Sequence, residues 1–342
     1  MVKKDRELEN CNFVKTILML CVVLYHSMLF WGGNWFSVVE PVFKSNILIT
    51  IFEWLNTFHI YGFTLVSGYI FYYLKYEKKS YNEFKPFFKN KLKRLIVPYI
   101  SIVFLWMIPT YIYFFGFNIS TIIEKYFLGI SPSQLWFLLM LFWVFIIVYL
   151  ISNFIKKHTL LSFIFIIILY MIGFIGCQLS INFFHIFNAL RYVTFFVLGF
   201  KIRQFKFTKN SKYVLLLIPL HIIMFFLKDY ISSFNGVIFK IINILMNYTL
   251  NIVGALMAFY CLQYLANKIN YNNKVFNFLS KRSMSIYLFH QQIIYFFIVI
   301  LNGVINPYVH AIINFVGSIV VSILITSLFM KFNFTKLMIG EK

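Results

Sequence analysis

About ten long apolar stretches, separated by short polar loops, account for most of this 342-residue chain. Each is about 17 to 28 residues long, which is enough to cross a bilayer core of about 30 Å as a helix. The pattern predicts an all-α fold, a polytopic integral membrane bundle of about ten transmembrane helices. Because no internal repeat, linker or appended soluble segment is visible, we expect residues 1–342 to form a single membrane domain. The stretches are 13–31, 47–74, 95–116, 134–155, 158–176, 184–200, 213–229, 241–265, 284–301 and 308–330.

Basic residues fall in alternate loops between these stretches, and this predicts the orientation of the bundle. Loops rich in Lys and Arg face the cytoplasm, and an even number of helices then places both termini on that side. The intervening loops carry few basic residues. The basic segments are Lys3, Lys4 and Arg6 near the N-terminus, the loop 75–94, Lys156 and Lys157, and the segments 201–212, 268–282 and 331–342.

Composition excludes a soluble domain, since 61% of the residues are hydrophobic and 12% are charged. A formal net charge of +21 would suggest nucleic-acid binding in a soluble protein, but membrane topology accounts for most of these Lys and Arg residues. We therefore expect membrane lipid, and no nucleic acid, among the partners. The four cysteines show no CxxC pair or metal-ligand spacing, so we expect no metal site. No small-residue cleavage site follows the first stretch, which is typical of a retained span.

The first apolar stretch carries two ionisable residues, Lys15 and His26. They are three helical turns apart, so they share one face of the helix, about 16 Å apart along its axis. An ionisable group in hydrocarbon is costly and needs a chemical reason. Because imidazole takes up and releases protons near neutral pH, His26 is a candidate catalytic base or transient acyl carrier.

Other basic groups in or beside the predicted spans outnumber the one carboxylate there, Glu53. If they meet in one cavity, they would bind the phosphates of an anionic cytoplasmic molecule. The alternative is that the deep groups are scattered polar contacts between helices and that the shallowest one reaches back to the interface. Counted from the cytoplasmic ends, the predicted depths are about 0 Å for Arg94, about 9 Å for His290, about 14 Å for Arg191, and about 20 Å for both His26 and His59.

Similar predicted depths on consecutive antiparallel helices make His26 and His59 candidate neighbours, and we count both as candidate catalytic residues. Glu53 lies six residues before His59. It is about 240° away around the helix, so we expect it to pair instead with Arg191 or Lys15 on another helix.

Two further segments have a predicted role. Ser67 and Gly68 indicate close packing of the second helix against a neighbour. The segment 81–94 mixes aromatic residues with lysines. This mixture predicts an interfacial amphipathic helix that touches anionic lipid or holds the phosphates of a cofactor.

Several motifs, in the same order along the chain, resemble those of the membrane-bound acyltransferase-3 family, which includes O-acetyltransferases of bacterial surface polysaccharides. Each motif is short, but their order and the helix count together are specific. The family more often has arginine at the position of Lys15, which keeps the charge but loses the planar two-pronged geometry. The motifs are Lys15 followed by His26 in VVLYHS, FH at 58–59 with FTLVSGY at 63–69, KRLIVP at 93–98, LWFL at 135–138, FFVLG at 195–199 and SMSIYLFH at 283–290.

The resemblance implies a ten-helix fold, a cytoplasmic acyl-CoA donor and transfer to an acceptor hydroxyl at or across the membrane, with His26 catalytic. We therefore expect an integral membrane O-acyltransferase that moves acetyl from acetyl-CoA to a hydroxyl of a cell-envelope or capsular glycan, free or lipid-linked, in the plasma membrane of a bacterium. The alternative is a transporter or flippase for an anionic or glycan substrate, although no repeated halves or paired broken helices are visible. The candidate site residues are His26 and His59 for catalysis, and Lys15, Arg94, Arg191 and His290 for binding CoA.

Overall fold

The computed structural model describes residues 6–33, 35–179, 181–207, 212–271 and 273–341. These residues form helices joined by short loops, and none of them is in a strand. In this part of the chain nine helices are long and apolar enough to cross a membrane, which confirms the predicted all-α membrane bundle. Lys3 and Lys4, two of the residues behind the predicted orientation, lie outside the described residues.

The central helices of the bundle are α1, α5, α7 and α10, which are half to two-thirds buried, whereas α6 and α8 lie at the rim with most of their surface open to lipid. The main helices of the described residues are α1 (Arg6–Met28), α2 (Asn46–Asn56), α3 (His59–Tyr72), α4 (Phe84–Phe115), α5 (Trp136–Lys157), α6 (Thr159–Leu179), α7 (Ile186–Gln204), α8 (Leu217–Ser232), α9 (Val237–Lys268), α10 (Lys274–Leu301), α11 (Pro307–Phe329) and α12 (Asn333–Met338).

The apolar stretch 47–74, predicted as one span, forms two helices with a break at Thr57. The Thr57 hydroxyl donates to the carbonyl oxygen of Trp54 at 2.6 Å and lies 3.1 Å from Nε2 of His221 in α8. Gly254 of α9 packs against the break, where a Cβ atom would lie 2.8 Å from the carbonyl oxygen of Thr57. Because of this break, the described chain has nine unbroken helices of membrane length, and not ten.

The segment 81–94 does not form a separate interfacial helix, because it continues into the next span as α4. Two turns of this helix, Leu92–Ile96 and Val103–Met107, are π-helical, with hydrogen bonds between residues five apart. Phe87 and Lys91 are buried among neighbouring helices instead of lying at a lipid surface. Of the basic residues in this segment Lys91 is therefore turned toward the interior, whereas Lys85, Lys89, Lys93 and Arg94 are exposed.

Helices α3 and α7 cross at two glycines, Gly68 and Gly199, where their backbones come together. A methyl group at Gly68 would collide with the backbone of Phe196, and one at Gly199 would collide with the carbonyl oxygen of Leu65. Only glycine permits so close an approach, and small residues serve this purpose at helix crossings in membranes generally. The close packing predicted from Gly68 is confirmed.

Ion pairs join α1, α3 and α7 at one end of the bundle. The Arg203 guanidinium donates to the two carboxylate oxygens of Glu77 at 2.8 and 2.7 Å, and it lies 3.0 Å from the carboxylate of Glu7. It also donates to the Tyr69 hydroxyl at 2.9 Å. The hydrogen bonds from Arg203 lower the pKa of Glu77 and so favour its ionised form. The start of α1 therefore lies beside the ends of α3 and α7, as the predicted topology requires.

We expect Gly68→Ala to destabilise the protein by about 3 kcal/mol, because the added methyl group overlaps the backbone of α7. Gly62→Ala, on the same helix, is the matched control, since its methyl group would meet Ala258 and Leu18 at 3.3–3.4 Å, a much smaller overlap. Thermal unfolding of both purified variants in detergent measures the difference. A Gly68→Ala protein that unfolds at the same temperature as the wild type would contradict the close backbone packing of α3 against α7 at Gly68.

Cysteine labelling of intact cells tests the orientation expected from the basic loops. A cysteine at Lys79, in the loop after α3, should react only with a membrane-permeant maleimide, because this loop is one of the basic loops expected to face the cytoplasm. A cysteine at Glu124, after α4, is the control and should also react with an impermeant maleimide. The four native cysteines give the background. Reaction of the Lys79→Cys protein with the impermeant reagent would reverse the orientation.

Candidate active site

A cavity of about 490 Å³ lies between α1, α3, α4, α5 and α10 and extends from the end of the bundle that carries Glu7 and Glu77. Helix α1 lines it with one face, whose members recur every three or four residues. The α1 residues that line the cavity are Leu8, Asn12, Lys15, Thr16, Met19 and Val22. The remaining wall includes Phe63 and Ser67 of α3, Lys91 and Arg94 of α4, Phe137, Leu138 and Phe145 of α5, Lys281 and Tyr287 of α10, and Glu341.

Four cations line this cavity, and Glu341 is the one carboxylate among the lining residues that the structure describes. Lys91 is only 6% exposed, and its Nζ atom lies 3.5 Å from the centre of the Phe145 ring. Nζ of Lys15 lies 5.4 Å from the centre of the Phe63 ring. Aromatic faces offset only part of the cost of burying these charges, so the cavity is electrostatically suited to an anion. The cations are Lys15, Lys91, Arg94 and Lys281.

Two histidines meet one helical turn beyond Val22 and Tyr287, which line the cavity. Nδ1 of His26 lies 2.9 Å from the carbonyl oxygen of Val22, and Nδ1 of His290 lies 2.8 Å from that of Tyr287. A carbonyl oxygen can only accept, so each neutral ring carries its proton on Nδ1 and a lone pair on Nε2. Nε2 of His290 lies 3.2 Å from Nδ1 of His26, so the single Nδ1 proton of His26 is shared between two acceptors, the Val22 carbonyl oxygen and this nitrogen. The basic atom of His26 is therefore its Nε2.

The cavity and the histidine pair are joined through the backbone. Val22 and Tyr287 line the cavity, and their carbonyl oxygens hold the rings of His26 and His290 one turn further along α1 and α10. A molecule that fills the cavity past Lys15 would consequently end beside these two rings.

The different depths predicted for His26 and His290 are wrong, because the two rings are in contact. Helix α10 begins at Lys274, ten residues before the apolar stretch 284–301 that served as the membrane edge in the prediction. Hydropathy marks where a helix becomes apolar, not where it begins or how it is tilted against its neighbours.

His59 lies close to this pair but does not bond to either member directly. Its Nδ1 atom lies 2.6 Å from the carbonyl oxygen of Leu55, across the break between α2 and α3. The Tyr25 ring is 4.9 Å from the rings of both His59 and His26. The ring of Trp35, which is not among the residues that line the cavity, lies 5.9 Å from the ring of His26.

The structure does not bring Arg191 together with Lys15 and Arg94. Its guanidinium lies between the rings of Tyr170 and Phe174 of α6, 5.8 Å from each. Gly173 of α6 makes room for it, since a Cβ atom there would lie 2.9 Å from Cγ of Arg191.

The expected pairing of Glu53 with Arg191 or Lys15 is also wrong. Glu53 is exposed on α2, and its charged neighbours are Lys228 and Asp229 near the end of α8. The break at Thr57 separates α2 from α3, so the carboxylate follows a different helix from the one that carries His59.

A buried amide network holds the part of α10 that carries His290. The backbone nitrogen of Gln134 donates to Gln291 at 3.0 Å, and its side-chain amide donates to Gln292 at 2.7 Å and to the carbonyl oxygen of Leu288 at 2.9 Å. The Tyr287 hydroxyl donates to the carbonyl oxygen of Gln134. The network ties the start of α5 to both sides of His290.

Sequence reasoning missed three groups of this site. Lys91 lies in the segment 81–94, for which the sequence predicts contact with anionic lipid or with the phosphates of a cofactor, but its burial in the cavity wall has no local signal. Tyr287 and Glu341 gave no signal, because a tyrosine in an apolar helix and a terminal glutamate are both ordinary.

Fold and site together define a polytopic membrane protein with a cationic cavity that ends at a histidine pair. The sequence model of the acyltransferase-3 family, described as an acyltransferase domain, matches residues 8–331. The match covers nearly the whole chain, so the protein belongs to this family and is a multi-pass membrane acyltransferase. No curated protein and no solved structure matches the chain.

Proposed function

We propose that the protein transfers an acetyl group from cytoplasmic acetyl-CoA to a hydroxyl of a cell-envelope or capsular glycan, in the plasma membrane of a bacterium. One observation carries this proposal: a cavity lined by four cations ends one helical turn from the paired rings of His26 and His290. This cavity supports the acyl-CoA donor, and the family resemblance of the sequence supports the glycan acceptor.

The cavity suits both parts of an acyl-CoA. The phosphates match the cations Lys15, Lys91, Arg94 and Lys281, since Arg and Lys are the usual phosphate partners in proteins. The wall between Lys15 and the histidines is apolar, with Met19, Val22, Phe137 and Leu138. The distance of about 16 Å along α1 from Lys15 to His26 is comparable to the length of an extended pantetheine arm.

His26 acts as the general base in this proposal. Its Nε2 removes the proton of the acceptor hydroxyl while the hydroxyl oxygen attacks the thioester carbonyl carbon. The new ester C–O bond forms, the C–S bond breaks, and the imidazolium returns the proton to the leaving CoA sulfur. Nε2 of His290 accepts from Nδ1 of His26 throughout, so it stabilises the imidazolium and fixes the ring.

The acceptor approaches His26 beside Trp35 in this scheme, because Trp35 neighbours the His26 ring and is not part of the donor cavity. His59 has a positioning role in this scheme, since it holds Tyr25 and has no direct bond to His26. Arg191 has no part in donor binding, because aromatic rings of α6 surround it away from the cavity.

Substitution of the histidines tests the reaction. We expect His26→Ala to lower acyl transfer by about 10² to 10⁴-fold, the usual loss for a general base. His290→Leu should lower it by about tenfold to a hundredfold, because the imidazolium loses a hydrogen-bond acceptor, and His290→Gln should recover part of the rate. His59→Ala should lower acyl transfer less than His26→Ala does. Mass analysis of envelope glycans from cells with each variant, at matched membrane accumulation, measures the acetyl content.

Two results would contradict this scheme. A glycan mass that is the same with and without the wild-type protein would remove the proposed acceptor. Normal acetylation by a His26→Ala protein would show that His26 is not the base. If His59→Ala lowered acyl transfer as much as His26→Ala, the site would need two catalytic histidines.

Substitution of the cavity cations tests the donor site. We expect Arg94→Gln and Lys15→Gln each to raise KM for acetyl-CoA about tenfold to a hundredfold, since each removes a charge-assisted hydrogen bond worth about 1.5 to 3 kcal/mol. Arg191→Gln is the matched control and should leave the donor KM unchanged. Purified protein at fixed acceptor gives the three constants, and thermal unfolding confirms that each variant is folded. A donor KM that rises in Arg191→Gln but not in Arg94→Gln would place the phosphates elsewhere.

A further inference from the structure

The C-terminal segment folds back onto the mouth of the cationic cavity. After α12, Ile339 is fully buried, and Gly340 turns the chain with φ of +73°. A Cβ atom at Gly340 would lie 3.0 Å from Cγ of Pro98 and 3.4 Å from the carbonyl oxygen of Arg94, so the segment rests directly on α4. Its next residue, Glu341, is part of the cavity wall.

The carboxylate of Glu341 lies among the cations that bind phosphates in the proposed function. The Ser285 hydroxyl donates to it at 3.3 Å, and Arg94 and Arg282 are its positive neighbours. Burial raises the pKa of this carboxyl, while Ser285 and the two arginines act in the opposite direction. No catalytic step uses Glu341, so its position inside an anion-binding cavity needs a separate reason.

We propose that Glu341 is a built-in competitor of the donor. Carboxylate and phosphate oxygens bind the same guanidinium and ammonium groups, and Glu341, held by Ser285 in the cavity wall, already offsets part of the positive charge of Arg94 in the empty protein. A CoA phosphate that binds Arg94 must therefore compete with this carboxylate. The apparent affinity for the donor is the intrinsic affinity reduced by the fraction of molecules whose cavity is open. This inference rests on the proposed function, because it takes CoA phosphates as the ligand of the cavity.

The competition between Glu341 and CoA phosphates also affects the reaction product. Free CoA carries the same phosphates as acetyl-CoA, so Glu341 weakens the binding of both molecules. It therefore also speeds the release of CoA after transfer. A carboxylate that served as a binding contact for the donor would have the opposite effect on affinity. The sign of the change on neutralising Glu341 therefore separates the two roles.

Neutralising the carboxylate tests the competition. We expect Glu341→Gln to lower both KM for acetyl-CoA and Kd for CoA about three- to tenfold. Glu341→Asp keeps the charge and should stay close to wild type. Glu124→Gln, which removes an exposed carboxylate outside the cavity, is the matched control and should leave both constants unchanged. Calorimetric titration of the purified proteins with CoA gives Kd without any acceptor.

The outcomes distinguish this inference from the proposed function. If wild type and Glu341→Gln bind CoA equally, or if Glu341→Gln binds it more weakly, the competition is wrong while the donor site stands. If neither protein binds CoA, the donor assignment itself fails. Equal tightening in Glu124→Gln would show a general effect of net charge and would also overturn the proposal.

Discussion

The burial of positive charge in a membrane protein is the constraint on which this structure depends. Lys15, Lys91 and Arg94 lie in or beside spans, where an unpaired charge is costly. The structure meets that cost with aromatic faces, such as the Phe145 ring 3.5 Å from Nζ of Lys91, and with one carboxylate at the cavity mouth. Neither is as strong as a phosphate contact. An anionic ligand is therefore the part that we propose completes this site.

The geometry of the proposed catalytic pair follows from the way the helices are held. The backbone carbonyl oxygens of Val22 and Tyr287 fix the tautomers of the two histidines, so the protonation pattern is set by α1 and α10 themselves. The Gln134 network holds α10 beside α5, and the glycine crossing of α3 with α7 holds the opposite wall. Small displacements of these helices would separate His26 from His290, which is why the polar network and the glycines matter for chemistry as well as for stability.

Much of the fold could be predicted from sequence, because apolar length alone identifies membrane helices. The face shared by Lys15 and His26 also followed from helical periodicity, and that face of α1 leads along the cavity to the histidine. The break at Thr57 could not be predicted, since it depends on Gly254 and His221 from distant helices. The contact between His26 and His290 was missed for a similar reason: depth counted along separate helices ignores their ends and tilts. Glu341 reaches its place through tertiary packing of the C-terminal segment, which leaves no local pattern.

A structure of the protein determined by electron cryomicroscopy with a non-hydrolysable acetyl-CoA analogue bound tests the central claim most directly. We expect its phosphates within hydrogen-bonding distance of Lys15, Lys91 and Arg94. The pantetheine arm should lie along α1, and the acyl carbon should lie next to Nε2 of His26. The Glu341 carboxylate should have moved away from Arg94. An analogue bound outside this cavity, or one whose acyl end points away from His26, would contradict the account.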